Sequence, residues 1–318
     1  MNSEEHNNDQ PGWERQALEK LAFAMLEEKK AARRWGIFWR LTWLTLMAAV
    51  VWLVWLKVPS PAAPSTPHTA VVDIKGEIGA DNEANAIDIL DALRAAFEDA
   101  GAQAVVLVIN SPGGSPVQAG VINDEIVRLK AIHSKPVYAV VEDTCASAAY
   151  YIAAAADEIY VDKASIVGSI GVLMDGFGFT GLMDKLGIER RLLTAGANKG
   201  FLDPFSPQTP EQRSYALGML KEIHEQFIDV VRTGRGDRLK ETPDMFSGLF
   251  WSGQQAVNMG LADGLGSIDY VAREVVKAEE LVDYTRRANM AERLAKRFGA
   301  AFGESAAKSL LASGWSLR

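Results

Sequence analysis

Val137-Tyr-Ala-Val-Val-Glu-Asp-Thr-Cys-Ala-Ser-Ala-Ala-Tyr-Tyr-Ile-Ala-Ala-Ala-Ala-Asp-Glu-Ile-Tyr-Val161 is the stretch on which the fold turns. Val137 to Val141 is a short β-branched and apolar run of buried-strand type, Glu142 to Thr144 reads as a polar turn, and Ser147 to Ala156 is Ala-rich and helix-forming. Glu158 to Val161 reads as the next strand. A strand, a tight turn, a helix and another strand within 25 residues is the pattern of a parallel sheet with helical crossovers. Ser147 falls where the helix begins. Unpaired backbone N–H groups point outward there and stabilise negative charge developing on a reacting carbonyl oxygen. Ser147 is therefore a candidate nucleophile, although a small residue at that point also serves as an ordinary helix cap.

Working outward, the same alternation continues on both sides. Val71 to Ile74 and Ala104 to Ile109 read as strands, Asn85 to Ala100 as an amphipathic helix, Val117 to Ala131 as a helix, and Pro210 to Arg232 as a long helix. The fold class is α/β, and functional groups are expected at the C-terminal ends of the strands. One such end carries Asn110-Ser-Pro-Gly-Gly-Ser115. Gly113 and Gly114 there allow a close backbone approach or a positive φ, and either can supply an oxyanion N–H beside that of Ala148. The absence of Gly-Lys-Ser/Thr rules out a nucleotide P-loop. Gly176-Phe-Gly-Phe-Thr-Gly181 matches a dinucleotide pattern in letters only, because Phe177 and Phe179 crowd the turn and no acidic partner follows. Arg235-Gly-Asp237 reads as an ordinary charged turn.

Composition narrows the classes. The chain has 318 residues, 48% of them hydrophobic, and a formal net charge of -8, which argues against nucleic acid as a main partner. Its one cysteine, Cys145, excludes an internal disulfide and a cysteine zinc site, and the four histidines lack ligand spacing, so no metal or cofactor is expected. Residues 1–34 are polar and charged. From 35 to 57 the chain reads as a transmembrane anchor. Leu41 to Leu56 is free of charge, Trp35 and Trp39 lie at one end, and Trp52 and Trp55 lie at the other. Seven lysines and arginines precede Leu41 against two, Lys57 and Lys75, that follow Leu56 closely, which places the N-terminus in the cytoplasm and the rest outside. Residues 58–69 form a Pro-rich linker, 70–285 the main domain, and 286–318 a basic amphipathic tail with Met290, Leu294, Phe298 and Phe302 at intervals of four. The tail fits a neighbouring subunit, the membrane surface or its own domain equally well.

A nucleophilic serine needs a base. His133 lies in a polar turn before a strand and His224 inside the long helix, so neither is well placed. A lysine can act instead when desolvation keeps its amine neutral. Lys199, in Thr194-Ala-Gly-Ala-Asn-Lys-Gly200 after the strand-like Arg191 to Thr194, is flanked by small residues and is the candidate. Taken alone, a lysine in Asn-Lys-Gly usually reads as a solvated loop charge.

Asn110 to Gly114, Cys145 to Tyr151, Val167-Gly-Ser-Ile-Gly-Val172 and Gly196 to Gly200 stand in the order and spacing of one family. So do Phe250-Trp-Ser-Gly-Gln-Gln-Ala256 and Gly260-Leu-Ala-Asp263. The chain resembles the bacterial signal peptide peptidase A family over about residues 71–276. That family comprises membrane-anchored Ser/Lys proteases with a Clp protease/crotonase-like fold of repeated β-β-α units. The resemblance implies Ser147 as nucleophile, Lys199 as general base and Ser169 as hydrogen-bond partner of the lysine amine. It further implies peptide substrates such as remnant signal peptides and hydrophobic or misfolded segments, and a ring-like homo-oligomer at the cell membrane. Val167 departs from the threonine often found there. A peptide-binding scaffold without turnover and a crotonase-type acyl-thioester enzyme are the competing expectations.

Overall fold

The computed structural model describes residues 33–50, 52 and 66–286. The chain divides into two units, Met1–Ala63 and Pro64–Arg318. In the first, the described residues are helical, and the Thr42 and Thr45 hydroxyls donate back to the carbonyls of Phe38 and Leu41 at 2.9 and 3.0 Å. Such back-bonding lets a hydroxyl sit on an otherwise apolar helix. Among the described residues no helix is long and apolar enough to cross a membrane. The remainder of the predicted anchor, most of the polar N-terminal segment, most of the linker and nearly all of the basic tail lie outside the described residues.

The second unit is built on one mixed sheet of eight strands: β1 His68–Lys75, β2 Ala102–Ser111, β3 Val137–Ala146, β4 Glu158–Val161, β5 Ile166–Gly168, β6 Phe250–Ser252, β7 Gly264–Leu265 and β8 Leu281–Asp283. The order is β6-β5-β3-β2-β1-β8, with β4 joining β3 to β7 off that path. Every pairing is parallel except β5 with β6. Parallel strands covered on both faces read as continuous apolar runs, and Val105, Val106, Leu107 and Ile109 of β2 are all fully buried. Helices Ala86–Glu98 and Pro116–His133 make the crossovers. Each begins on a side chain that caps it: Asn85 accepts from the Asp88 N–H, and Ser115 accepts from the Gln118 N–H ahead of a Pro at the first helical position. A smaller cluster of Val71, Val106, Val108, Val140 and Val271 fills the opposite face.

Four features differ from the sequence reading. Strand β1 begins at His68, inside the stretch assigned to the linker, because His68 pairs with Ala102 and is buried. Strand β3 does not stop in a polar turn at Glu142. It runs on to Ala146 by changing partner, from β4 along Tyr138–Val141 to β5 along Thr144–Ala146. The polar residues are the kink between the two pairings, where Asn110 Nδ2 donates to Asp143 at 3.0 Å and Ser165 Oγ donates to the Glu142 carbonyl at 2.6 Å. The helix after Ser147 is shorter than expected, Ala148–Ala153, and closes in tighter turns through Ala155 and Ala156. Residues 191–194 are exposed and form no strand, because no strand among the described residues pairs with their backbone.

Helix Pro210–Arg235 crosses the Ala148–Ala153 helix and is locked at its far end. The buried Arg235 guanidinium pairs with both carboxylate oxygens of Asp263 at 2.8 Å and donates to the Gly260 carbonyl at 2.9 Å. Between β5 and that helix the chain makes a long excursion, residues 172–209. It is tied internally by Phe179 N–H to the Pro204 carbonyl at 2.8 Å, by Phe179 stacked on Phe205, and by Arg190 facing Asp203 at 3.4 Å. The short helix Thr180–Leu186 within it has no buried residue.

Candidate active site

Ser147 sits between the end of β3 and the start of helix Ala148–Ala153, with φ 53° and ψ -125°. A non-glycine residue held in that region stores about 1–3 kcal/mol of backbone strain, which persists only where surrounding contacts enforce it. The enforcing contacts are visible. The Ser147 N–H donates to the Gly168 carbonyl at 2.8 Å, and the Ser147 carbonyl accepts from the Tyr151 N–H at 3.1 Å.

Gly113, at φ 107°, lies directly against the serine: a Cβ there would stand 2.7 Å from the Ser147 Cβ and 2.8 Å from the Ala146 carbonyl oxygen. Its own N–H donates to Ser111 Oγ at 3.2 Å, and its carbonyl accepts from the Ile78 N–H at 2.8 Å. Gly114, at φ 144°, bridges to Ile78, whose carbonyl oxygen occupies the space of any added Cβ. The Ala148 N–H is the first of the helix and by construction has no carbonyl to meet within it.

Gly114, Ser147, Ala148 and Ser169 open together onto a cavity of about 700 Å³. Tyr151, Leu220, Ile223 and Phe227 form part of its wall. None of the lining residues is Lys, Arg, His, Asp or Glu, so the space beside the serine hydroxyl is uncharged, with Ser169, Gln226 and Ser247 adding polar groups to a largely apolar wall. Burial, and then the nearby Asp124 charge, raises the Tyr151 phenol above its ordinary range, keeping it neutral. Burial likewise pushes the Cys145 thiol far up, so this residue on β3 is a packed, protonated neighbour of the site.

Of the residues singled out in the sequence, Ser147, Gly113, Gly114, Ala148 and Ser169 are brought together. Ser169 has φ 51°, and its N–H donates to the Leu249 carbonyl at 2.8 Å. Lys199 is not among the residues lining the cavity. It is exposed on the turn at residues 197–200 of the 172–209 excursion, its backbone N–H donating to the Gly196 carbonyl at 3.1 Å. His133 packs its ring near Phe97, centroids 5.7 Å apart. His224 reaches toward the site after all, donating from Nε2 to the Ile170 carbonyl at 3.1 Å. The cavity wall itself was missed in the sequence. Leu220, Ile223 and Phe227 recur at helical spacing in the long helix, and that apolar stripe is the signal that marks them.

Residues 130–282 match the family model described as Peptidase family S49. The sodium/proton antiporter NhaA of Brucella melitensis is 51% identical over 176 residues, which cover 55% of this chain and 24% of that protein. Protease 4 of Haemophilus influenzae is 33% identical over 220 residues, covering 67% of this chain and 35% of that one. The chloroplastic serine protease SPPA of Arabidopsis thaliana is 26% identical over 205 residues, covering 64% and 28% respectively. The chain thus spans about a quarter to a third of the length of these relatives. Among solved structures, a point mutant of the 1510-N membrane-bound stomatin-specific protease aligns at a TM-score of 0.39 and 15% identity, covering 69% of this chain and 98% of that one. The match to peptidase family S49 over residues 130–282, just under half of the chain, and the likeness to Protease 4 support a serine peptidase. Together these matches support the signal peptide peptidase A family.

Proposed function

We propose that the protein is a serine endopeptidase of Clp protease/crotonase-like architecture, anchored in the bacterial cell membrane through residues 35–57 with its catalytic domain on the extracytoplasmic side. The observation that carries the reading is Ser147 in strained backbone geometry at a helix start, facing an uncharged cavity with Gly113 packed against it. Ser147 attacks a peptide carbonyl, and the oxyanion is held by the N–H groups of Ala148 and Gly114. Gly114 is preferred over Gly113 because the Gly113 N–H is already spent on Ser111. Lys199 takes the serine proton and returns it to the leaving amine, with Ser169 orienting the lysine amine, and water then hydrolyses the acyl-enzyme.

Lys199 works in this scheme only where the excursion that carries it is covered and dry. Leu173, Phe177 and Leu193 on that excursion are 80%, 79% and 95% exposed, an apolar surface of the kind subunit contacts use. A homo-oligomeric ring supplies such a cover and brings the lysine onto a serine. An uncharged pocket fits hydrophobic peptide segments, including remnant signal peptides, and an anchor concentrates the enzyme where these lie.

The test is hydrolysis of a hydrophobic signal-peptide substrate by the detergent-solubilised full chain, comparing wild type with Ser147→Ala and Lys199→Ala. The expected result is a loss of at least about 1,000-fold in kcat for each variant with binding retained. Binding without cleavage by all three proteins would instead make the chain a peptide-binding scaffold, the reading that the exposed position of Lys199 favours.

A further inference from the structure

Ser169 holds a positive φ between Gly168, also at positive φ, and the fully buried Ile170. This short turn is fixed at three consecutive residues. The Gly168 carbonyl accepts the Ser147 N–H at 2.8 Å, the Ser169 N–H donates to Leu249 at 2.8 Å, and the Ile170 carbonyl accepts His224 Nε2 at 3.1 Å. The first two are backbone bonds that do not depend on side-chain identity. The third requires a donor of particular reach on helix Pro210–Arg235, the helix whose Leu220, Ile223 and Phe227 wall the cavity. Because Ile170 is buried, its carbonyl has lost water and needs that donor. A carbonyl only accepts, so Nε2 carries the hydrogen; the neutral Nε2–H tautomer and the imidazolium both provide it.

We propose that His224 is a positioning residue for the peptidase reaction. It clamps the Ile170 carbonyl, which holds the strained Ser169 in place. Through the adjoining Gly168 carbonyl it also holds the backbone of Ser147. The inference rests on the reading of Ser147 as nucleophile. His224 is not among the residues lining the cavity, so it acts through the turn and not on the substrate. The role calls for a donor, not for a titrating group.

The experiment measures kcat and KM of the full chain in detergent on a hydrophobic peptide for wild type, Ser147→Ala, His224→Leu, His224→Gln, Ser169→Ala and the Ser169→Ala/His224→Leu double variant. His224→Leu should lower kcat at least tenfold with KM within about twofold, and His224→Gln, which keeps a donor at similar reach, should recover most of that loss. In the Ser169→Ala background the His224→Leu effect should shrink to about threefold or less, because the clamp then has little left to position. Unchanged kcat in His224→Leu, or the same tenfold loss in both backgrounds, overturns the proposal. If His224→Leu does not fold, the unbranched His224→Met asks the same question in both backgrounds. Equal turnover by wild type and Ser147→Ala would remove the peptidase reading and the clamp with it, whereas an inactive Ser147→Ala beside a fully active His224→Leu removes the clamp alone.

Discussion

At the scale of the residue, the site depends on close packing between two loops. Gly113 has no room for a methyl group: its φ of 107° is foreign to side-chain-bearing residues, and the added carbon would press on Ser147 and the Ala146 carbonyl. Gly113→Ala should therefore displace the serine turn, lowering turnover at least about 100-fold and stability by about 1–3 kcal/mol in urea unfolding. An active and fully stable Gly113→Ala protein would refute the packing argument. The pair of glycines and the serine were legible in the sequence because each sits at the end of an apolar run, where short-range pattern decides. The surroundings of Lys199 were not legible. They depend on how residues 172–209 leave the sheet, which no local spacing encodes. His224 was passed over for the same reason: its partner, Ile170, lies 54 residues away in the chain.

At the scale of the element, the crossover helices carry their own anchoring. Glu125 on helix Pro116–His133 accepts from Arg128 at 2.6 Å and from Arg94 of helix Ala86–Glu98 at 2.7 Å, tying the two helices together. The Arg128 hydrogen bond first, then that of Arg94 and both guanidinium charges, lowers its carboxyl from 4.5 to about 2 despite an opposing effect of burial. A carboxylate held below its unfolded value stabilises the fold above that value and stops doing so as pH falls through the folded one. Wild type should therefore lose stability relative to Glu125→Gln as pH falls from about 4.5 to about 2, read as converging urea midpoints. Midpoints that stay parallel across that range would show the triad to be idle. Both helices were legible in the sequence to within two residues of their observed ends, the first from its amphipathic spacing. The second half of β3 could not, since Glu142 and Asp143 look like a turn until the change of partner from β4 to β5 is known.

At the scale of the whole molecule, the 172–209 excursion is the apolar surface that the proposed ring must cover. Charging it should break the assembly: Leu193→Asp together with Phe177→Asp is expected to reduce the sedimentation coefficient of the detergent-solubilised protein and to cut turnover in parallel. Monomer-like sedimentation of the wild type with full turnover would contradict the assembly reading. At the other edge of the sheet, β1 pairs with β8, His68 Nε2 is 3.0 Å from the Tyr284 hydroxyl, and the Tyr284 N–H donates to the Val71 carbonyl at 2.9 Å. Among the described residues, the first and last strands of this domain's sheet are therefore neighbours. A domain with neighbouring ends behaves as a cassette. It can be spliced into a loop of an unrelated host, or fused in tandem, without prising either partner open, so its sequence can recur as a modest fraction of much longer polypeptides.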